Sequence, residues 1–199
     1  LVACQLVAKK TTAGQDVYTL TPVSRQFLLP ESEDYVGAMF EHDSMWDTWQ
    51  QLAEAVRSGQ PAQRVNDESL RAQFFPVLVR SLHVINREPA RRTTAALLAG
   101  RKSADGLHAL DIACGSGVWG IALAEADRGA EITALDYATT LTETRKFVER
   151  HKVARRVRYQ PGDLNQVDFG RAAYDVVYLG HILHIEGEQS SRSEEHTSE

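Results

Sequence analysis

Cysteine is almost missing from this chain: only Cys4 and Cys114 occur, far apart in sequence. Two such residues cannot build a disulfide framework or a zinc cluster, so no metal site is expected, and reduced thiols in a cytoplasmic protein are the reading. Long apolar runs are missing as well. No stretch approaches the roughly 20 residues a membrane span needs, and no signal-peptide pattern is visible. Nor is positive charge in excess: 22 Lys and Arg stand against 27 Asp and Glu, a formal charge of −5. That balance argues against a broad nucleic-acid surface, and the pairs Lys9-Lys10 and Arg91-Arg92 read as solvated faces. Internal repeats and low-complexity segments are absent too. What is present, 199 residues with 43% hydrophobic and 25% charged content, is the composition of a soluble globular protein. It is long enough for one domain and part of another.

Both ends look unlike natural ones. The chain starts at Leu1, inside what reads as a helix over Leu1–Ala8. Its last eight residues, 192–199, resemble the translation of a sequencing-adapter read-through, and are expected to be non-native. Without their one Arg and three Glu the formal charge moves from −5 to −3. The Glu-Glu-His cluster in this tail is therefore not read as a metal site.

The first hundred residues read as helices around one hairpin. Lys9–Asp16 is a polar turn with a central Gly, and Val17–Leu20 is a β-prone return strand closed by Thr21-Pro22. Ser24 is placed to cap a short segment, Arg25–Leu29. Tyr35, Met39, Met45, Trp46, Trp49, Leu52, Ala53 and Val56 recur at helical spacing, with Gly59-Gln-Pro61 as the stop. This stripe reads as interhelical or dimer packing. One or two further helices fill 68–99, with Gly100 as the C-cap and 101–106 as a polar linker.

From Leu107 strands and helices alternate. Strands are expected at Leu107–Ala113, Glu131–Leu135, Arg156–Gln160 and Tyr174–Leu179, and helices at Val118–Ala126 and Thr139–His151. The nearly all-apolar fourth strand reads as a central parallel one. The alternation predicts an α/β fold, a Rossmann-like doubly wound sheet with four strands present.

Four signals fall at the carboxyl ends of these strands. Gly115, Ser116, Gly117 and Gly120 follow the first strand and open a helix, where glycine permits φ > 0 and close approach of a ligand to unpaired N–H groups. Asp136 ends the second strand, with Tyr137 next to it, where a carboxylate can accept both hydroxyls of a ribose. That geometry fits NAD and S-adenosylmethionine alike. Asp111 places negative charge within the loop, which suits an ammonium group and repels a pyrophosphate. Asp163 follows the third strand, where it can accept an adenine amino group with Leu164 against the ring.

The run Leu110-Asp-Ile-Ala-Cys-Gly-Ser-Gly-Val-Trp-Gly120, with Leu135-Asp136 and Gly162-Asp163, resembles class I S-adenosylmethionine-dependent methyltransferases. Tyr18–Pro22, Trp46–Pro61 and Leu179–His184 resemble the branch of small-molecule O-methyltransferases with a winged-helix dimerisation domain. The resemblance covers 1–191. It implies the end of a winged-helix dimerisation domain over 1–60, a helical linker with pocket helices over 61–106, and a truncated cofactor domain over 107–191. It implies S-adenosylmethionine as cofactor, a small hydroxyl compound as methyl acceptor, and a homodimer. Asp111, Gly115, Ser116, Gly117, Asp136, Tyr137, Asp163 and Leu164 become the cofactor residues. Phe75, Leu78, Leu82, His83 and Asn86 become candidates for the acceptor pocket.

The resemblance also makes His184, just after the fourth strand, the catalytic base, with His181 as its rival. A phenol near pKa ~10 facing an imidazole near ~6.5 leaves a gap of roughly 4.8 kcal/mol. A carboxylate behind the imidazole, or proton loss concerted with transfer, must close that gap; Glu186 and Glu188 are near in sequence. The competing readings are an NAD-dependent oxidoreductase and a binding protein that keeps the fold without catalysis. With three of seven family strands absent, the fourth strand is expected to expose an apolar edge and the chain to be poorly soluble or inactive.

Overall fold

A computed structural model of the chain describes residues 1–37, 46, 49–60, 68–101 and 106–183. Two compact units emerge, Leu1–Val84 and Ile85–Glu199, with the boundary inside the segment 61–106.

The first unit opens on a hairpin of β1 (Val7–Thr12) and β2 (Gln15–Leu20), in register from Val7↔Leu20 to Thr12↔Gln15. Its two-residue turn, Ala13-Gly14, has φ of 51° and 78°. Both central residues are left-handed, the turn whose twist matches that of the strands. The helix read over Leu1–Ala8 is not formed. The Gln5 N–H donates to Val2 O at 2.9 Å in a tight turn, and Val7 and Ala8 already pair with Leu20 and Thr19. The ladder overrides the apolar spacing, since so short a helix is marginal alone.

Helix α1 (Pro22–Phe27) is capped by Thr21, whose Oγ1 accepts from Ser24 N–H at 3.3 Å, with proline at its first position. Ser24 is thus not the cap. It lies inside the helix, fully buried, and its hydroxyl donates to Leu6 O at 2.6 Å. Helix α2 (Leu52–Ser58) stops as expected at Gly59, φ 66°. Met39 and Met45 lie outside the described residues. Helix α3 (Glu68–Leu98) is one helix of 31 residues that runs through Pro76 and Pro89. Gly100 is not a left-handed cap; the chain leaves through a turn in which Arg101 N–H donates to Leu98 O at 3.1 Å.

The second unit holds a four-stranded parallel sheet in the order β5-β4-β3-β6. The strands are β3 (His108–Ile112), β4 (Glu131–Asp136), β5 (Val157–Pro161) and β6 (Val176–Tyr178). Helix α4 (Val118–Ala126) connects β3 to β4, and helix α5 (Ala138–Arg150) with a 3-10 turn at Ala154–Arg156 connects β4 to β5. One sheet face carries Asp111, Ala134 and Tyr178, neighbours in register. It is met by α4 and α5 through Gly120, Trp119 and Leu141. The opposite face, with Leu110, Ile112 and Leu135, is covered by Leu164, Val167, Phe169 and Tyr174.

Burial on both faces explains why Ala109–Ile112 form an unbroken buried run. As expected of a sheet with four strands, β6 is an edge among the described residues, only three residues long, with Val177 half exposed. No described residue is in a helix long and apolar enough to cross a membrane.

Candidate functional site

The strand order fixes where a ligand can sit. From β3 the chain builds β4 and β5 on one side, then returns to place β6 on the other. The carboxyl ends of β3 and β6 therefore flank a topological switch point, the place where open α/β sheets form a crevice. Around that edge lie the loop 113–117 after β3, Asp136 at the end of β4, Asp163 after β5, and Leu179–His181 after β6.

The loop after β3 is held from several directions. Gly115 and Gly117 have φ of 55° and 73°, which glycine adopts without strain. Ala113 is also left-handed, φ 50°, and as a residue with a Cβ it stores strain there. The Cys114 N–H donates to Leu135 O at 3.1 Å, and the Gly117 N–H to Cys114 O at 2.7 Å. Below, Thr144 of α5 donates its hydroxyl to Gly115 O at 2.6 Å. Above, the Gly115 N–H donates to Asp136 Oδ2 at 2.9 Å, while the Tyr137 N–H donates to Asp136 Oδ1 at 2.7 Å. Each Asp136 oxygen thus accepts one backbone bond and the Thr140 side chain adds a third to the carboxylate, which leaves lone-pair capacity for a diol. Burial pushes the Asp136 carboxyl up, and the two backbone donors with the Thr140 side chain pull it part of the way back. Ser116 is buried and Tyr137 exposed.

Asp111 differs from its expected place. It belongs to β3, only 1% exposed, beneath the loop rather than on it. Its Oδ2 accepts from the Gly120 N–H at 3.0 Å. The N-cap of α4 is Gly117, which has no side chain to offer, so a carboxylate from the neighbouring strand satisfies an N-terminal donor in its stead. Its Oδ1 is buried without a partner among the described residues. Burial raises the carboxyl to about 7, with Gly120 lowering it and the Asp136 charge raising it. Gly120 is required by the same contact: a Cβ there would stand 2.6 Å from Ile132 Cγ2 and 3.3 Å from Asp111 Oδ2.

Asp163 organises its own turn, accepting from Asn165 N–H at 2.9 Å, and is half-buried beside the β5 end. Leu164 packs into the cluster under the sheet. His181 takes a left-handed φ of 60° and donates Nε2–H to Asn86 Oδ1 at 3.0 Å, tying the end of β6 to α3. Thus Asn86 meets His181, while His184, Glu186 and Glu188 lie outside the described residues. Among those described, no three His, Cys, Asp or Glu converge as a metal site.

Two residues escaped the sequence reading. Thr144 faces the loop from mid-helix, and a polar residue on the apolar side of α5 was the available signal. Trp119 was visible only as part of the loop. Its ring stacks on Tyr178 at 6.3 Å and packs against Ala90, Val118 and Ala122.

Residues 109–194 match the family described as "Methyltransferase domain". Solved structures align over most of the chain. A protein of Nostoc punctiforme assigned as an O-methyltransferase is 27% identical over 88% of this chain and 52% of its own, TM-score 0.66. An O-methyltransferase family protein of Burkholderia thailandensis is 22% identical over 88% of this chain and 52% of its own, TM-score 0.64. Human N-acetylserotonin methyltransferase, solved with S-adenosylmethionine, is 19% identical over 81% and 48%, TM-score 0.61. No curated protein sequence matches the chain. The chain spans about half the length of these solved structures. The glycine loop, the four-stranded parallel sheet and this match agree: over residues 109–194 the chain is similar to methyltransferase domains, with a Rossmann-like fold.

Proposed function

We propose that the chain is the cofactor-binding part of an S-adenosylmethionine-dependent O-methyltransferase, acting on a hydroxyl of a small aromatic or polyketide-like molecule. The observation that carries the cofactor reading is the set of carboxylates at successive strand ends. Asp136 holds the glycine loop and keeps acceptor capacity for a ribose diol. Asp163 stands at the β5 end for an adenine amino group. Asp111, with an unpartnered buried oxygen under the loop, gives the crevice a negative floor that favours a cationic ligand and opposes a pyrophosphate. The chain's residues therefore fit this cofactor better than a dinucleotide.

When bound, S-adenosylmethionine supplies an activated methyl group on a sulfonium that departs readily. The protein's share is to align the acceptor hydroxyl and take its proton. His184 is proposed as that base. The first sixty residues are proposed as a dimerisation segment, on the strength of an apolar stripe, Trp46, Trp49, Leu52 and Val56, each at least half exposed.

Calorimetry tests the cofactor: S-adenosylhomocysteine is expected to bind and NAD is not, and the reverse result sinks the reading. Methyl transfer by the full-length protein to a panel of phenols tests the base. His184→Ala is expected to lose about 10²–10⁴ in rate, and undiminished turnover removes His184 from the role.

A further inference from the structure

The crevice at the switch point has a feature that the glycine loop and the carboxylates do not account for. Trp119, in the first turn of α4, reaches across from β3 to the end of β6. A Cβ on Gly180 would lie 2.3 Å from its Nε1 and 2.8 Å from its Cδ1. The indole therefore fills the space that a side chain at position 180 would take, and its N–H edge is turned to the carboxyl end of β6. Stacking on Tyr178 and packing against Ala90, Val118 and Ala122 hold it there. Trp119 is half-buried, and its N–H has no acceptor among the described residues. A tryptophan N–H usually finds a partner when its ring is packed, so an unmatched one at the mouth of a crevice is a donor awaiting a ligand acceptor.

The order of the strands says which end of a ligand it meets. With the adenine at the β5 end and the ribose at Asp136 on β4, the remainder must run over β3 towards β6. This step rests on the cofactor reading above. In S-adenosylmethionine that remainder is the amino-acid end, whose carboxylate needs donors and whose ammonium suits the negative floor at Asp111. We infer that Trp119 is a positioning residue whose indole N–H donates to the carboxylate of the bound cofactor, and that glycine stands at 180 because any side chain there displaces the indole.

Binding isotherms of two compounds test this. S-Adenosylhomocysteine carries the amino-acid end, whereas 5′-methylthioadenosine keeps adenine, ribose and sulfur without it. Trp119→Phe retains the ring and removes the N–H. It is expected to weaken S-adenosylhomocysteine about tenfold, as for a hydrogen bond to a charged group, and 5′-methylthioadenosine less than twofold. Gly180→Ala is expected to give the same selective loss. Equal weakening of both compounds, or no change in either, overturns the inference. Failure of the unsubstituted protein to bind either compound instead overturns the cofactor reading. Should Trp119→Phe not fold, a Trp46→Phe/Trp49→Phe protein leaves Trp119 as the sole indole emitter. Its fluorescence is expected to shift with S-adenosylhomocysteine and stay nearly unchanged with 5′-methylthioadenosine. An identical response to both, or to neither, counts against the inference.

Discussion

Asp111 is held where a charge is costly. In water its carboxyl would ionise near 3.8, and burial lifts it to about 7 in the fold. Below 3.8 the folded and unfolded chains both carry the proton, and the group is neutral to stability. Between 3.8 and 7 the unfolded chain releases the proton first, so stability falls as pH rises, and above about 7 the whole cost is felt. That cost is on the order of 4 kcal/mol. Asp111→Asn keeps an oxygen for the Gly120 N–H and cannot ionise. Its melting temperature relative to the unsubstituted protein should therefore climb from pH 4 to pH 8. Parallel melting curves across that range would show that Asp111 is not held protonated. If the ammonium of the cofactor compensates this charge, the same variant binds S-adenosylhomocysteine more weakly while melting higher at alkaline pH.

At the scale of elements, strand β3, the loop and helix α4 behave as one piece. Asp111 reaches from the strand to the first turn of the helix, and Gly120 lets that turn approach Ile132 of β4. Gly120→Ala forces a methyl into a 2.6 Å gap. Denaturant unfolding should show a loss of about 1–3 kcal/mol, as for overpacking, and an unchanged midpoint would refute this tight contact. Much of this piece was legible in the sequence. Helix α4 begins and ends where its apolar spacing placed it, and β4 and α5 shift by a residue, because hydrophobic period and glycine position decide them locally.

The depth of Asp111 was not legible. Nothing in one sequence says which face of a buried strand a carboxylate joins, or that a helix N–H will meet it. Thr21 rather than Ser24 as the cap of α1, and a strand in place of the helix over Leu1–Ala8, were missed for a related reason. In both, a partner distant in sequence, Leu6 O for Ser24 and β2 for Val7 and Ala8, outweighs local preference. Trp119 belongs to the same group, since Gly180 becomes its neighbour only once β6 lies beside β3.

For the whole molecule, the exposed apolar surface is uneven. In the second unit Val177 is half exposed on the sheet's described edge, with Leu179 and Leu183 just after it, the position most open to pairing with another chain. In the first unit Trp46, Trp49, Leu52 and Val56 share one helical spacing and are all exposed. That is the anatomy of a surface covered by association. Sedimentation equilibrium should find a dimer, and Trp49→Ser with Val56→Ser should shift it to monomer without changing the affinity for S-adenosylhomocysteine. A monomer at micromolar concentration before any substitution would remove the dimerisation role.

The bracing of the glycine loop has a consequence in time. Thr144, Asp136 and the Cys114 turn fix the loop's backbone without any ligand, so no segment there must order itself before an encounter becomes productive. Association is then governed by diffusion and orientation, in the ordinary range of about 10⁵–10⁷ M⁻¹s⁻¹. Differences in affinity among cofactor analogues will be written in how long each one stays.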